Sequence, residues 1–440
     1  MSFPRYPKYK DSGVEWLGQV PEHWEVVKGR RLFTQERDPS HPTDQQLSAT
    51  QKYGVVPQKL FMEMEDQKVT LALSGLENFK QVQEGDFVIS LRSFQGGIER
   101  SAYSGCVSPA YTVLRPSDSI HGLFWGYLLK SKGYIEALQT MTDGIRDGKN
   151  ISFHQFGNIG VPVVPVAEQT RIAAFLDQET AKIDALVAEQ ERLMALLKEK
   201  RQAVISHAVT KGLNLKAPMK PSGIEWLGDV PAHWTVIKLG MISTFKGGAG
   251  FPDDYQGQAE NEIPFFKVGD IVNSDGSGVM RQANHTISRE TAKELRAFIF
   301  PPATIVFAKV GAALLLKRFR ILGQPSCIDN NMMGMTAGET AKVDFLLYVL
   351  PLLDFELIVN PGAVPSINEG QISSQRVALP PVGEQKEITM YLDTEIAKLD
   401  TLTAEAQRAI ELLQERRTAL ISAAVTGRID VRPNAANITP

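Results

Sequence analysis

The sequence predicts an α+β chain: two mixed α/β domains separated by a pair of long antiparallel coiled-coil helices, the halves forming a pseudo-twofold tandem duplication. Three observations predict it. A tryptophan-rich string occurs twice, a long stretch of helical spacing occurs twice, and the segments between them do not match each other.

The string reads V-E-W-L-G-Q-V-P-E-H-W from Val14 to Trp24 and I-E-W-L-G-D-V-P-A-H-W from Ile224 to Trp234, an offset of 210. Val161 to Thr210 aligns without gaps to Val377 to Thr426, an offset of 216, matching E-Q at 168 and 384, L-D at 176 and 392, and A-K-I-D at 181 with A-K-L-D at 397. The blocks between share little beyond a late echo, I-S-F-H-Q-F at 151 against I-N-E-G-Q-I at 367. The expected divisions are therefore 1–24, 25–160, 161–216, 217–234, 235–376, 377–430 and a tail at 431–440.

The repeated stretches read as helices. Leu176, Ile183, Leu186, Leu193, Leu197 and Val204 form one apolar stripe, and Ile388, Leu392, Leu399, Leu402, Leu413 and Leu420 form the other. Pro165 and Pro381 precede them, Glu168 and Glu384 suit the positive end of the helix dipole, and Gly212 and Gly427 suit the residue past the C-cap. Each should span about 42 residues, or about 60 Å. Two such stripes on one chain bury each other most simply as an antiparallel pair, which brings the N- and C-termini together.

Both inserts read as mixed α/β. In the first, 85–92 and 111–114 are strand candidates and Phe124 to Leu138 a helix; in the second, 303–310 is a strand candidate and Phe345 to Ile358 a helix. R-S-F-Q-G-G at 92–97 and K-V-G-A-A at 309–313 each place a cation and small residues after an apolar strand, where backbone can approach a partner closely.

At 440 residues the chain is long enough for two or three cores, and 43% hydrophobic with 22% charged residues is ordinary globular composition. The absence of an apolar leader or an 18-residue apolar run predicts a cytoplasmic protein. Cys106 and Cys327 are read as two buried free thiols. The net charge of −3 gives no global signature of nucleic-acid binding, so any such face must be local.

No phosphate-binding glycine loop, nucleophile elbow, zinc helix or N-P-P-Y-like tetrad occurs, and Pro252-Asp253 lacks the following Glu-x-Lys of a nuclease, so no catalytic residue and no metal ligand is assigned. Trp16, Trp24, Trp226 and Trp234 are expected to clip helix ends to the inserts, with His23 and His233 satisfying local hydrogen bonds. Candidate DNA contacts are the cations and amides near glycines. In the first insert these are Lys28, Arg30, Arg31, Lys52, Tyr53, Arg92, Ser93, Gln95, Arg100, Arg146, Lys149 and Asn150; in the second, Lys246, Lys309, Lys317, Arg318, Arg320, Asn330 and Asn331. Leu196, Ile205, Ile410 and Leu412 are the candidate partner interface, as apolar residues on outward helix faces, with burial in the domain cores the alternative.

Two W-L-G-x-V-P-x-H-W copies, each followed by a dissimilar insert, then P-x-x-E-Q and a long helix, resemble the specificity subunits of type I restriction-modification systems across essentially the whole chain. L-S-A-T-Q-K-Y-G-V-V-P-Q at 47–58, S-P-A-Y-T-V-L-R-P at 108–116 and I-D-N-N-M-M-G at 328–334 also look like segments of that family's target-recognition domains. The resemblance implies a non-catalytic DNA-binding subunit. Each insert would read half of a bipartite double-stranded site while the helices set the spacer and dock two methyltransferase subunits. Restriction subunits would join through that assembly, with S-adenosylmethionine, ATP and Mg belonging to the partners and no cofactor held by this chain. A protein-binding adaptor with two domains on a helical spacer is the competing class, and a stand-alone nuclease a third.

Overall fold

The computed structural model describes residues 3–65, 76–90, 97–141, 151–272, 274, 278–360, 362 and 364–432. The chain forms two compact units, one of Met1–Arg192 with Ala406–Pro440 and one of Leu193–Glu405. No described helix is long and apolar enough to cross a membrane.

The two long helices span Val166–Lys211 and Val382–Val425, each starting directly after its proline. In each unit their segments run antiparallel. In the first, Glu168 lies within electrostatic reach of Arg432, while Asp184 takes a forked ion pair from Arg417 at 2.9 and 3.4 Å. In the second, Gly212 packs against Glu384 while Arg201 pairs with Asp400. The termini meet in the first unit, where the Asp430 N–H donates to the Pro4 carbonyl at 2.8 Å.

The apolar stripe is narrower than all the leucines would make it. Ile183, Val187, Gln190, Met194, Leu197, Arg201, Val204 and Ala208 are all at least half-buried, as are Leu399, Thr403, Ala406, Ile410, Leu413, Arg417, Leu420 and Ala424. This strict alternation of three and four is a coiled-coil seam. Leu186, Leu193 and Leu402, expected in the stripe, fall outside that frame and are exposed.

Each insert is built on an antiparallel sheet with the same four-strand order, although the sequences differ. In the first unit the order is Phe33–Glu36, Thr112–Pro116, Phe87–Ile89, Ile98–Arg100; in the second it is Ser243–Gly247, Met332–Ala337, Ile305–Ala308, Arg320–Leu322, with Val279–Met280 added in parallel. Burial on both faces, not residue identity, specifies these strands: Phe87–Ile89 and Ile305–Ala308 are buried throughout. The predicted helix over 124–138 is two, Gly122–Leu129 and Lys132–Thr140, and that over 345–358 breaks around Pro351 into Val343–Val349, a short 3-10 turn and Phe355–Ile358. The late echo is a pair of capping boxes: Ser152 with Gln155, and Asn368 with Gln371, begin short helices before each return strand.

The repeated residues make repeated contacts. Gln169 accepts from the His121 N–H at 2.8 Å and donates to the Ser119 and Val164 carbonyls; Gln385 accepts from the Lys342 N–H at 2.8 Å and donates to the Thr340 and Pro380 carbonyls. Trp24 and Trp234 are buried, Trp16 donates to the Gly160 carbonyl, and Trp226 packs against the second core. Gly427 and Gly212 both have φ near +75°, and a Cβ on Gly427 would collide with Pro21. Cys106 and Cys327 are buried free thiols, and burial pushes the Cys327 thiol up to about 12.

Candidate nucleic-acid interface

In the second unit one end of the sheet gathers four of the candidate residues. The strand 243–247 ends beside 332–337, with Lys246 opposite Gly334, and the Lys309 N–H donates to the Asn331 carbonyl just past the strand 305–308. Lys246 and both asparagines are exposed. The Lys246 ammonium lies 3.9 Å from the centre of the Phe298 ring, and the Asn331 N–H donates to Asp329 at 2.9 Å. Two glycines make the convergence possible. A Cβ on Gly247 would stand 2.9 Å from the Lys309 Nζ, and one on Gly248 would collide with the Asp329 and Ile328 carbonyls. Two cations and two exposed asparagines share that region with Glu369, which accepts from the Gly247 N–H at 2.7 Å; lysine is the type of residue that holds phosphates and asparagine the type that reads adenine edges.

The neighbouring candidates divide. Arg318 is exposed. Lys317 donates to the Leu353 carbonyl at 2.8 Å, and Arg320 donates to the Ile271 carbonyl at 3.1 Å and to the Ser274 hydroxyl at 2.5 Å. Those two cations hold loops of their own unit.

In the first unit the described candidates lie away from the corresponding sheet end. Lys28, Arg30 and Arg31 are exposed on and after the strand Glu25–Lys28, with Arg30 donating to Asn158 at 3.0 Å. Lys52 and Tyr53 both reach Glu65, at 2.9 and 2.7 Å, and these bonds to Tyr53 and Glu65 raise the Lys52 ammonium above its usual range. Lys52 and Arg100 line a cavity of about 570 Å³ together with Glu99, Lys130 and Lys132. Within it Glu99 is 2% exposed; burial pushes its carboxyl up to about 7 against the opposing pull of Lys130 at 2.5 Å. The Arg100 Nε is buried with no hydrogen-bond partner among the described residues. Arg92, Ser93, Gln95, Arg146, Lys149 and Asn150 lie outside the described residues.

Of the candidate partner residues, Leu196 and Leu412 are exposed by 52% and 66%. Ile205 is half-buried against the second core. Ile410, expected on an outward face, is 7% exposed because it falls on the seam.

Sequence reasoning named Trp24, Trp234, His23 and His233 at the joint of frame and inserts, but passed over Tyr6 and did not pair the histidines with Glu168 and Glu384. Glu168 is 6% exposed and accepts from the Tyr6 hydroxyl at 2.5 Å and the Trp24 indole at 3.2 Å, with His23 at 2.9 Å. Burial first, then the Glu168 bond, pushes the Tyr6 hydroxyl far above its usual range. In the second unit His233 meets Glu384 at 2.8 Å, and the Trp234 indole N–H has no partner among the described residues. The repeat was the available signal: each histidine and its glutamate recur together. Among the described residues no group of three or more His, Cys, Asp or Glu is placed to hold a metal ion.

Fold and site together define a duplicated helical frame presenting two sheet-based surfaces, one of which gathers residues suited to DNA. The chain belongs to the family described as Type I restriction modification DNA specificity domain, which matches residues 21–194 and 231–412. It is 22% identical over 445 residues to the Type I restriction enzyme EcoKI specificity subunit of Escherichia coli (strain K12), covering 96% of this chain and 92% of that one. It is likewise 22% identical over 428 residues to the MjaVIII specificity subunit of Methanocaldococcus jannaschii, covering 94% and 95%. Its fold is similar to the HsdS subunit from Thermoanaerobacter tengcongensis, with a TM-score of 0.58 at 17% identity over 93% of this chain and 98% of that one. It is also similar to a chain in a structure of complex assembly and conformational transition of the type I R-M system, with a TM-score of 0.70 at 16% identity over 92% and 98%.

Proposed function

We propose that this chain is the DNA-reading, non-catalytic subunit of a type I restriction-modification complex. The inserts 25–160 and 235–376 each read one half of a bipartite double-stranded site, and the helices 161–216 and 377–430 set the spacer. The observation that carries the reading is the sheet end of the second unit, where Lys246, Lys309, Asn330 and Asn331 share a surface that two glycines open. Lysines there hold phosphates, and an asparagine side chain pairs with the two major-groove groups of adenine. Arg318 adds to that face, and Lys52 with Arg100 serves backbone contact in the first unit.

Two methyltransferase subunits dock on the helices, where Leu196 and Leu412 leave apolar surface exposed. Restriction subunits join through them. S-adenosylmethionine, ATP and Mg are bound by those partners, and the assembly works in the cytoplasm. A net charge of −3 fits a reader whose partners supply much of the phosphate contact.

Exchanging the insert 235–376 for that of another specificity subunit tests the reading. One half-site should change while the other half and the spacer persist; a change in both halves contradicts independent readers, and no salt-dependent binding to duplex DNA by the assembled complex favours the protein adaptor.

A further inference from the structure

The same two polar pairs lie where insert and helices meet in both units. In the first, the Tyr127 hydroxyl on the helix Gly122–Leu129 donates to Asp177 at 2.7 Å. Arg417, from the second long helix, lines the same cavity as Tyr127 and Asp177 and pairs with Asp184 at 2.9 Å. In the second, the Tyr348 hydroxyl on the helix Val343–Val349 donates to Asp393 at 2.6 Å, and Arg201, within electrostatic reach of Tyr348, pairs with Asp400. Asp177 and Asp393, Asp184 and Asp400, and Arg201 and Arg417 are all separated by 216 residues, the helix offset, so one joint has been built twice.

Its placement says what it does. Among the described residues Arg201 and Arg417 are the only charged ones on the coiled-coil seam, at positions where an apolar side chain would pack better. Their guanidinium groups leave the seam to pair with an aspartate of the facing helix, and from there each lies within electrostatic reach of the insert's tyrosine. Each insert helix is then held at two points: by Gln169 or Gln385 at its start, and by Asp177 or Asp393 further along. Those anchors are eight residues apart on the long helix, about 12 Å along its axis. One anchor leaves a helix free to swing, whereas two fix its direction.

We propose that Tyr127–Asp177–Arg417–Asp184 and Tyr348–Asp393–Arg201–Asp400 are a duplicated joint whose positioning residues fix the angle of each reader on its helices, and so restrict the spacer length accepted between half-sites. This rests on the DNA-reading function proposed above. The two joints differ at the tyrosine. Thr180 gives the Tyr127 hydroxyl a second partner at 3.2 Å, while the corresponding residue, at the same offset, is Ile396. The second joint is therefore the weaker.

The test uses the full chain co-expressed with the methyltransferase of its own system, scoring methylated adenines by half-site and by spacer. Tyr127→Phe and Tyr348→Phe remove one hydroxyl each; Arg201→Leu and Arg417→Leu place an apolar residue on the seam, which preserves the coil. The half-sites should stay unchanged while methylation at spacers one base pair longer or shorter rises by about tenfold, more for Tyr127→Phe, which loses two partners, than for Tyr348→Phe, which loses one. Assembled variants that keep the wild-type spacer profile overturn the joint while leaving the reading intact. A wild-type complex that methylates no split motif overturns the reading itself, and the joint with it.

Discussion

The frame and the inserts of this chain solve opposite problems. Across the frame, residues 210 or 216 apart make the same contacts twice: His23 with Glu168 and His233 with Glu384, Gln169 and Gln385 on the insert helix, Asp184 with Arg417 and Arg201 with Asp400. In the inserts the four-strand order, the capping boxes and a tyrosine-bearing helix are shared, while the sequences around them differ. In the second insert Lys246, Lys309, Asn330 and Asn331 gather at one end of the sheet, and the described candidates of the first insert lie elsewhere. A molecule that keeps its frame and varies its surfaces can change what it reads without changing what it docks to.

The sharpest break in the frame's likeness is at its two first-turn glutamates, of which Glu168 is buried and Glu384 partly exposed. Glu168 serves three partners and Glu384 one. Glu168→Ala leaves the Tyr6 hydroxyl and the Trp24 indole buried without an acceptor, so it should cost about 4 kcal/mol, against about 1 kcal/mol for Glu384→Ala. Denaturant melts of the two variants, read at the transition of each unit, check the difference; equal losses would mean that the extra partners contribute nothing.

A pH effect should separate the units next. Glu99 takes up its proton near pH 7 in the folded chain, well above an unfolded glutamate, so the folded state binds more protons between those values. The first unit should therefore gain stability as pH falls from about 8 to about 5, on the order of 2 kcal/mol, and Glu99→Gln should flatten that gain. A melt of Glu99→Gln with the wild-type slope would show that Lys130 already neutralises the cost.

The smallest effect falls on the DNA surface. Lys246→Ala and Lys309→Ala should each weaken binding by about tenfold on every sequence and lower the salt slope by about one, whereas Asn331→Ala should relax preference at one position of one half-site. A lysine variant with an unchanged salt slope would remove that lysine from the interface.

The frame was legible in the sequence because duplication exposes it. The offsets found both long helices, their prolines and their terminal glycines. The leucines misled where spacing was read loosely: Leu186, Leu193 and Leu402 are exposed, while the seam runs through Gln190, Thr403 and two arginines that no hydrophobic pattern marks. The matched aspartates of the L-D and A-K-x-D strings were visible but had no assignable partner, because Tyr127 and Tyr348 lie in divergent segments offset by 221 rather than 216. Site residues were the least legible. Lys317 and Arg320 carry the right chemistry, yet loop geometry turns both onto their own unit's backbone, and that geometry depends on long-range packing.

The measurement that bears most directly on the whole account is the pattern of adenine methylation in cells carrying this chain with its methyltransferase. A single split motif, methylated in both halves at one spacer length and lost when this chain is removed, is the predicted result. A motif that is continuous, or that persists without this chain in a pair shown to assemble, would contradict it.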